Sequence, residues 1–147
     1  MSKFPSDESL VFILCDDFRH EGSGKMSIFG VYGDAMLVDQ PLAQERVALP
    51  SLGVYIAFKD GIGKFQMSIQ LIAPDNKVLI PAGTAQQVEK HPVGWMNVAL
   101  KMMPFEGTFG EYDLEIALQD ESGGKMKYAR TFTIDRSLAN KATHVVH

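Results

Sequence analysis

Gly110-Glu111-Tyr112-Asp113-Leu114-Glu115-Ile116-Ala117-Leu118-Gln119 is the stretch that decides the fold class. Its large apolar residues, Tyr112, Leu114, Ile116 and Leu118, fall at every second position, with Asp113, Glu115 and Gln119 between them. Side chains along a strand point alternately to opposite faces, so a period of two describes a strand with one buried and one wet face. Phe65, Met67, Ile69 and Leu71 repeat the pattern around Gln66, Ser68 and Gln70. Val54, Ile56, Phe58 and Met96, Val98, Leu100 follow it less cleanly. Met126, Tyr128, Phe132 and Ile134 follow it with Arg130 as the exception. No apolar stripe of helical period extends beyond about two turns.

Between these runs stand turn residues. Gly22-Ser23-Gly24, Asp60-Gly61-Ile62-Gly63, Pro74-Asp75-Asn76-Lys77 and Ser122-Gly123-Gly124 each separate two strand patterns. Glycine reaches positive φ freely and Asn or Asp tolerate it, so these are hairpin loops. The pattern predicts strands at 10–16, 25–32, 34–38, 52–59, 64–73, 77–81, 94–102, 111–119 and 125–134. Segment 39–51, with Pro41 and Pro50, reads as a long connection with a helical turn around Ala43-Gln44-Glu45, and 82–93 as a loop or edge region ending in His91-Pro92. The expectation is an all-β protein: a single antiparallel β-sandwich, immunoglobulin-like, of about seven to nine strands with little helix. It occupies residues 1–135, followed by a C-terminal tail at 136–147. Gly110-Glu111-Tyr112 also fits a tyrosine corner, in which the hydroxyl of a tyrosine early in a late strand bonds back to the chain before it.

Composition agrees. The 147 residues are 46% hydrophobic and 22% charged, which suits one soluble domain and excludes a disordered chain, a collagen, a coiled coil and a disulfide scaffold. The net charge is -4, and the bases are scattered singly. Lys125 and Lys127 would share one strand face and Arg130 the other, so no basic patch forms and nucleic acid is not an expected partner. The single Cys15 follows a continuous apolar run and reads as a buried, inert thiol. That run, Leu10 to Cys15, is far short of the roughly 20 residues of a membrane helix. It is also shorter than the core of a signal peptide, and Leu14 stands where a lipoprotein signal needs a small residue. The expected location is cytoplasmic, with no membrane partner.

Few constellations suggest chemistry. Gly24-Lys25 is followed by Met26 and a strand, and Arg19 stands where a Walker loop has its first glycine. Neither a G-x-S-x-G elbow nor an H-E-x-x-H helix occurs. His144 and His147 share the tail without other ligands nearby. Asp16, Asp17, His20 and Glu21 fall within six residues and offer oxygens and a ring nitrogen to a hard cation. The plain account is a polar strand end whose carboxylates bond local backbone. Glu106, Glu111, Asp113, Glu115, Asp120 and Glu121 lie in an interval without Lys or Arg. Asp113 and Glu115 share the wet face there, giving either a solvated surface or a docking patch for a basic partner. Glu21-Gly22-Ser23-Gly24-Lys25-Met26 resembles Glu121-Ser122-Gly123-Gly124-Lys125-Met126, a recurrence of hairpin grammar. Met67, Met96, Met102 and Met126 suit core filling.

The stretch Leu14-Cys15-Asp16-Asp17-Phe18-Arg19, with Gly24-Lys25-Met26-Ser27-Ile28-Phe29-Gly30-Val31-Tyr32 after it, resembles a bacterial family of conserved hypothetical proteins. Leu49-Pro50-Ser51-Leu52 and Gly110-Glu111-Tyr112 continue the resemblance, which covers most of 10–134. It implies a β-sandwich and no established activity, cofactor or catalytic residue. Within it Asp16, Asp17, Arg19 and Tyr32 stand out, and an Asp–Arg pair bracing the first hairpin would account for them. Together these readings predict a non-enzymatic module, without cofactor, that binds a protein partner or self-associates. Its candidate binding residues are Asp16, Asp17, Arg19, Glu21, Tyr32, Asp113 and Glu115. The alternatives are a metal-dependent enzyme or small-ligand binder built on Asp16, Asp17, His20 and Glu21, and a structural component of a virion or secretion machine.

Overall fold

A computed structural model of the protein describes residues 2–33, 35–80 and 86–137. Most of the expected tail, with His144 and His147, lies outside the described residues. In chain order the strands are β1 (Leu10–His20), β2 (Met26–Val31), β3 (Ala35–Val38), β4 (Arg46–Leu49), β5 (Leu52–Phe58) and β6 (Gly63–Ile72). They continue with β7 (Val78–Ile80), β8 (Gln86–Lys90), β9 (Met96–Met102), β10 (Phe105–Thr108), β11 (Gly110–Asp120) and β12 (Lys125–Arg136). The helical content described is two three-residue 3-10 turns, Asp7–Ser9 and Gly22–Gly24.

The protein is a β-sandwich. One sheet has the order β2-β1-β5-β9, the other β3-β12-β11-β6, with β7 and β8 both paired to β6, and β4 and β10 form a separate two-stranded ribbon. The decisive stretch, β11, is central in its sheet: Leu114 stands opposite Arg130 on one side and Leu71 on the other. Its alternation therefore reads straight into burial, with Tyr112, Leu114, Ile116 and Leu118 at most 1% exposed. They meet Leu14, Val54, Ile56 and Phe58 of the first sheet in one core. Aromatic pairs tie the sheets together: Phe58 lies 4.8 Å from Tyr128 and Phe12 6.0 Å from Phe132.

Three details depart from expectation. Three more strands form than were predicted, β4, β8 and β10. β4 and β10 have four residues each, too short to show a period, and each is made by the other (Val47 opposite Gly107). β8 is a mostly polar edge strand on β6, with little apolar alternation to betray it. In place of a helical turn near Ala43, the Gln44 N–H donates to the Pro41 carbonyl at 3.0 Å, a single tight turn. The buried Gln40 amide organises this segment by donating to the carbonyls of Gln44 and Arg46. The sandwich also holds one parallel pair, β3 with β12. Between β2 and β3 the chain crosses from one sheet to the other, and that crossing sets the direction of β3.

Arg130, the exception in the alternation, does face inward, opposite Leu114. Its charge is met by the N-terminal segment: it donates to the Asp7 carboxylate at 3.0 Å and to the Asp7 carbonyl at 2.9 Å. Tyr128 fixes the same segment by donating to the Pro5 carbonyl at 2.7 Å. The tyrosine corner forms as well. Tyr112 donates its hydroxyl proton to the Thr108 carbonyl at 2.6 Å and accepts from the Thr108 N–H at 3.0 Å. Gly107 is required beside it, because a Cβ there would collide with the Tyr112 hydroxyl. Tyr112→Phe leaves both Thr108 groups without their partner, and such a loss costs about 1–3 kcal/mol. Urea unfolding of Tyr112→Phe is expected to show a lower midpoint at unchanged slope. An unchanged midpoint would mean that the corner holds nothing.

Candidate functional site

The β1–β2 hairpin carries the sequence motif, and its residues take separate partners. Tyr32 donates its hydroxyl proton to the Asp16 carboxylate at 2.5 Å, and the Tyr32 N–H donates to the Leu14 carbonyl at 2.9 Å. Gly30 makes room for this pair. Its φ is +65°, and a Cβ there would collide with the Asp16 carboxylate. Burial first, and then the negative Asp16 beside it, push the Tyr32 phenol up to about 12. Asp17 accepts from Lys101 at 2.8 Å and from the Phe18 N–H at 2.8 Å, and these bonds, Lys101 foremost, lower its pKa. Arg19 pairs with Glu21 at 2.8 Å and lies over the Phe29 ring at 5.5 Å, while Ser27 donates to the same Glu21 oxygen at 3.0 Å.

The expected Asp–Arg brace is therefore replaced. Asp16 binds Tyr32, Asp17 binds Lys101, and Arg19 binds Glu21. Alternation parts Asp16 from Asp17 and Arg19, since consecutive residues of a strand leave on opposite faces, and Lys101 and Glu21 draw Asp17 and Arg19 to separate partners. The same separation acts on the proposed cation ligands: among the described residues, no three His, Cys, Asp or Glu side chains come together as a metal site. Tyr32 also borders a cleft of about 280 Å³ between the sheets, with Phe12, Leu14, Gly33, Thr131 and Phe132. Among the described residues of that lining, Tyr32 is the one ionisable side chain.

Asp113 and Glu115 lie, as read from the sequence, on the outer face of β11. The interval without Lys or Arg gains a base from the neighbouring strand, since Lys127 reaches Glu115 at 3.5 Å. Asp120 is a turn residue rather than part of this face. Its carboxylate accepts from the hydroxyl and N–H of Ser122, the Gly124 N–H and the Ser2 hydroxyl, and the Ser122 hydroxyl leads in lowering its pKa.

Sequence reasoning missed the outer face of the other sheet. Register builds it row by row. Val11 stands opposite Ala57, and Ala57 opposite Asn97. Ile13 stands opposite Tyr55, and Tyr55 opposite Ala99. Val31, Cys15, Gly53 and Lys101 form the next row. Gly53 lets the Phe18 ring and the Cys15 thiol pack over it, at 3.1 and 2.8 Å from where its Cβ would be. Cys15 is fully buried, and burial foremost raises its pKa, as an inert thiol requires. Around these rows Phe29, Val31 and Trp95 are 45%, 60% and 56% exposed. The signal was present in the sequence. Leu52–Phe58 and Leu10–Cys15 are apolar without alternation, and a strand apolar on both sides has two faces to bury.

Among the described residues no helix is long and apolar enough to cross a membrane. The model of a family described as a family of unknown function (DUF6941) matches residues 10–140. No curated protein and no solved structure matches the chain.

The Asp16–Tyr32 pair makes a pH prediction. The folded phenol value, about 12, exceeds the roughly 10 of a free tyrosine. The protonated form therefore favours folding, and its contribution is intact below pH 10 and lost as pH rises toward 12. Asp16→Asn removes the negative charge and should lower the Tyr32 midpoint, read from its ring resonances in an NMR titration. An unmoved midpoint would count against the carboxylate as the acceptor.

Proposed function

The chain belongs to this family of unknown function, and from that premise we propose that it is a non-enzymatic interaction module that binds protein through the outer face of β2-β1-β5-β9. One observation carries the reading: the two outer faces of the sandwich differ in kind. The face of β11 and β12 presents Asp113, Glu115, Lys125 and Lys127, and water covers such a surface at no cost. The face of β1 and β5 presents half-buried Val11 and Ile13 over a floor of buried Tyr55 and Ala57, with Val31, Phe29 and Trp95 exposed around them. Contiguous apolar surface of this kind marks an interaction site on a soluble protein.

In this reading Asp17, Arg19 and Glu21 hold the rim of the interface in shape, and Asp16 and Tyr32 brace the same hairpin from the side of the cleft between the sheets. Asp113 and Glu115 form a solvated face. The module works in the cytoplasm, without nucleic acid or cofactor. The sandwich is immunoglobulin-like, supported by the Tyr112 corner and by the strand that crosses between the sheets to lie beside β12.

The test is a photoreactive side chain placed at Val31 and, separately, at the exposed Ala129 on the charged face, in cells that naturally contain the protein. Irradiation should join the Val31 variant to protein, whether another copy or a different chain, and leave the Ala129 variant unjoined. Absence of adducts from Val31, or equal adducts from both positions, would overturn the reading.

A further inference from the structure

We infer that the cleft beside Tyr32 is a binding site for a small alkylammonium ion. The site lies between the sheets and does not depend on the outer face of β2-β1-β5-β9. Phe12, Leu14 and Asp16 fall at every second position of β1, so all three leave on the side turned toward the second sheet. Leu14 belongs to the core and Phe12 packs against it. Asp16 continues the same row as an exposed carboxylate, and its bond to Tyr32 sets it beside the cleft. Three of the residues that line the cleft are aromatic: Phe12, Tyr32 and Phe132. The face of an aromatic ring is electrically negative and attracts a cation.

Charge selects the same class of ligand. Asp17 has Lys101 and Glu21 has Arg19, each at 2.8 Å. Among the described residues no Lys, Arg or His pairs with Asp16. Its partner Tyr32 is a neutral donor, since a phenol pushed up to about 12 keeps its proton at neutral pH. The carboxylate therefore retains its full charge, and Tyr32 takes one of its roughly four acceptor positions. An anion would meet Asp16 with no base in the described lining to offset it. An ammonium finds a carboxylate and ring faces together, and the brace between Asp16 and Tyr32 stays as it is. Size sets the limit. The cleft holds about 280 Å³, just under the roughly 300 Å³ at which ligand pockets begin, so a short chain fits, with its methylenes against Leu14 and Phe132. A free amine and a lysine side chain both carry this group.

The experiment is an NMR titration of the full-length chain with butylammonium, with Nα-acetyl-lysine amide and with butyrate. Both ammonium probes are expected to shift the resonances of Phe12, Tyr32, Gly33 and Phe132, and butyrate to leave them in place. Tighter binding of butylammonium supports the site with a free amine as its ligand, and tighter binding of the lysine derivative supports it with a side chain of another chain. Asp16→Asn keeps an acceptor for Tyr32 but removes the charge, and should weaken butylammonium binding about threefold or more. Phe12→Leu keeps apolar contact but removes a ring face, with a loss of similar size expected. Circular dichroism reports whether each variant is folded, and either one suffices if the other is not. The inference is overturned if neither ammonium probe shifts these resonances, if butyrate shifts them equally, or if both substitutions leave the affinity unchanged. The outcome is separate from crosslinking at Val31, which reads the outer face alone.

Discussion

β5 is the constraint on which the rest depends. All seven of its residues, Leu52 to Phe58, are buried. It is hydrogen-bonded to β1 on one side and β9 on the other, so its main chain is fully used. Val54, Ile56 and Phe58 enter the core that the two sheets share. Gly53, Tyr55 and Ala57 cannot follow them, because a strand sends alternate residues to opposite faces. They shape a second, outward layer with Val11, Ile13, Cys15 and Ala99. The fold satisfies the first layer with its own second sheet, while the second is buried at Gly53, Tyr55 and Ala57 and opens to water at Phe29, Val31 and Trp95.

The legible part of the fold was the part with a period. The alternation in 64–73, 111–119 and 125–134 named β6, β11 and β12 and the residues they bury, and Gly110-Glu111-Tyr112 gave away the corner at Thr108. Pairings that depend on distant segments were not legible. β4 exists because β10 lies beside it, and β8 because β6 has an edge to fill. The direction of β3 follows from where the chain crosses between sheets, which no local pattern records. The candidate site was legible only as a set of residues. Asp16, Asp17, Arg19 and Tyr32 were singled out correctly as belonging to one hairpin. Their partners come from β9, from the residues beyond each strand end and from the opposite strand, so sequence proximity misassigned them.

That assignment changes what the motif means. Tyr32 closes on Asp16 through the space that Gly30 leaves, Lys101 draws Asp17 toward β9, and Glu21 holds Arg19 against Phe29. Each bond fixes one side of the hairpin at the border of the apolar layer. The polar residues that look like chemistry in the sequence act as a frame, and the apolar residues without alternation are the surface that is framed. Paired ions stand on both sides, Glu115 with Lys127 on the far sheet and Asp17 with Lys101 at the near rim.

Methyl accessibility tests this account most directly. A soluble paramagnetic probe broadens methyl resonances that touch water, so it reads each face of the sandwich separately. On concentrating the protein, or on adding extract of the cells that naturally contain it, the methyls of Val11, Ile13 and Val31 should become less accessible together, while that of Thr133 on the charged face stays as it was. Unchanged accessibility of Val11, Ile13 and Val31 under both conditions would contradict it.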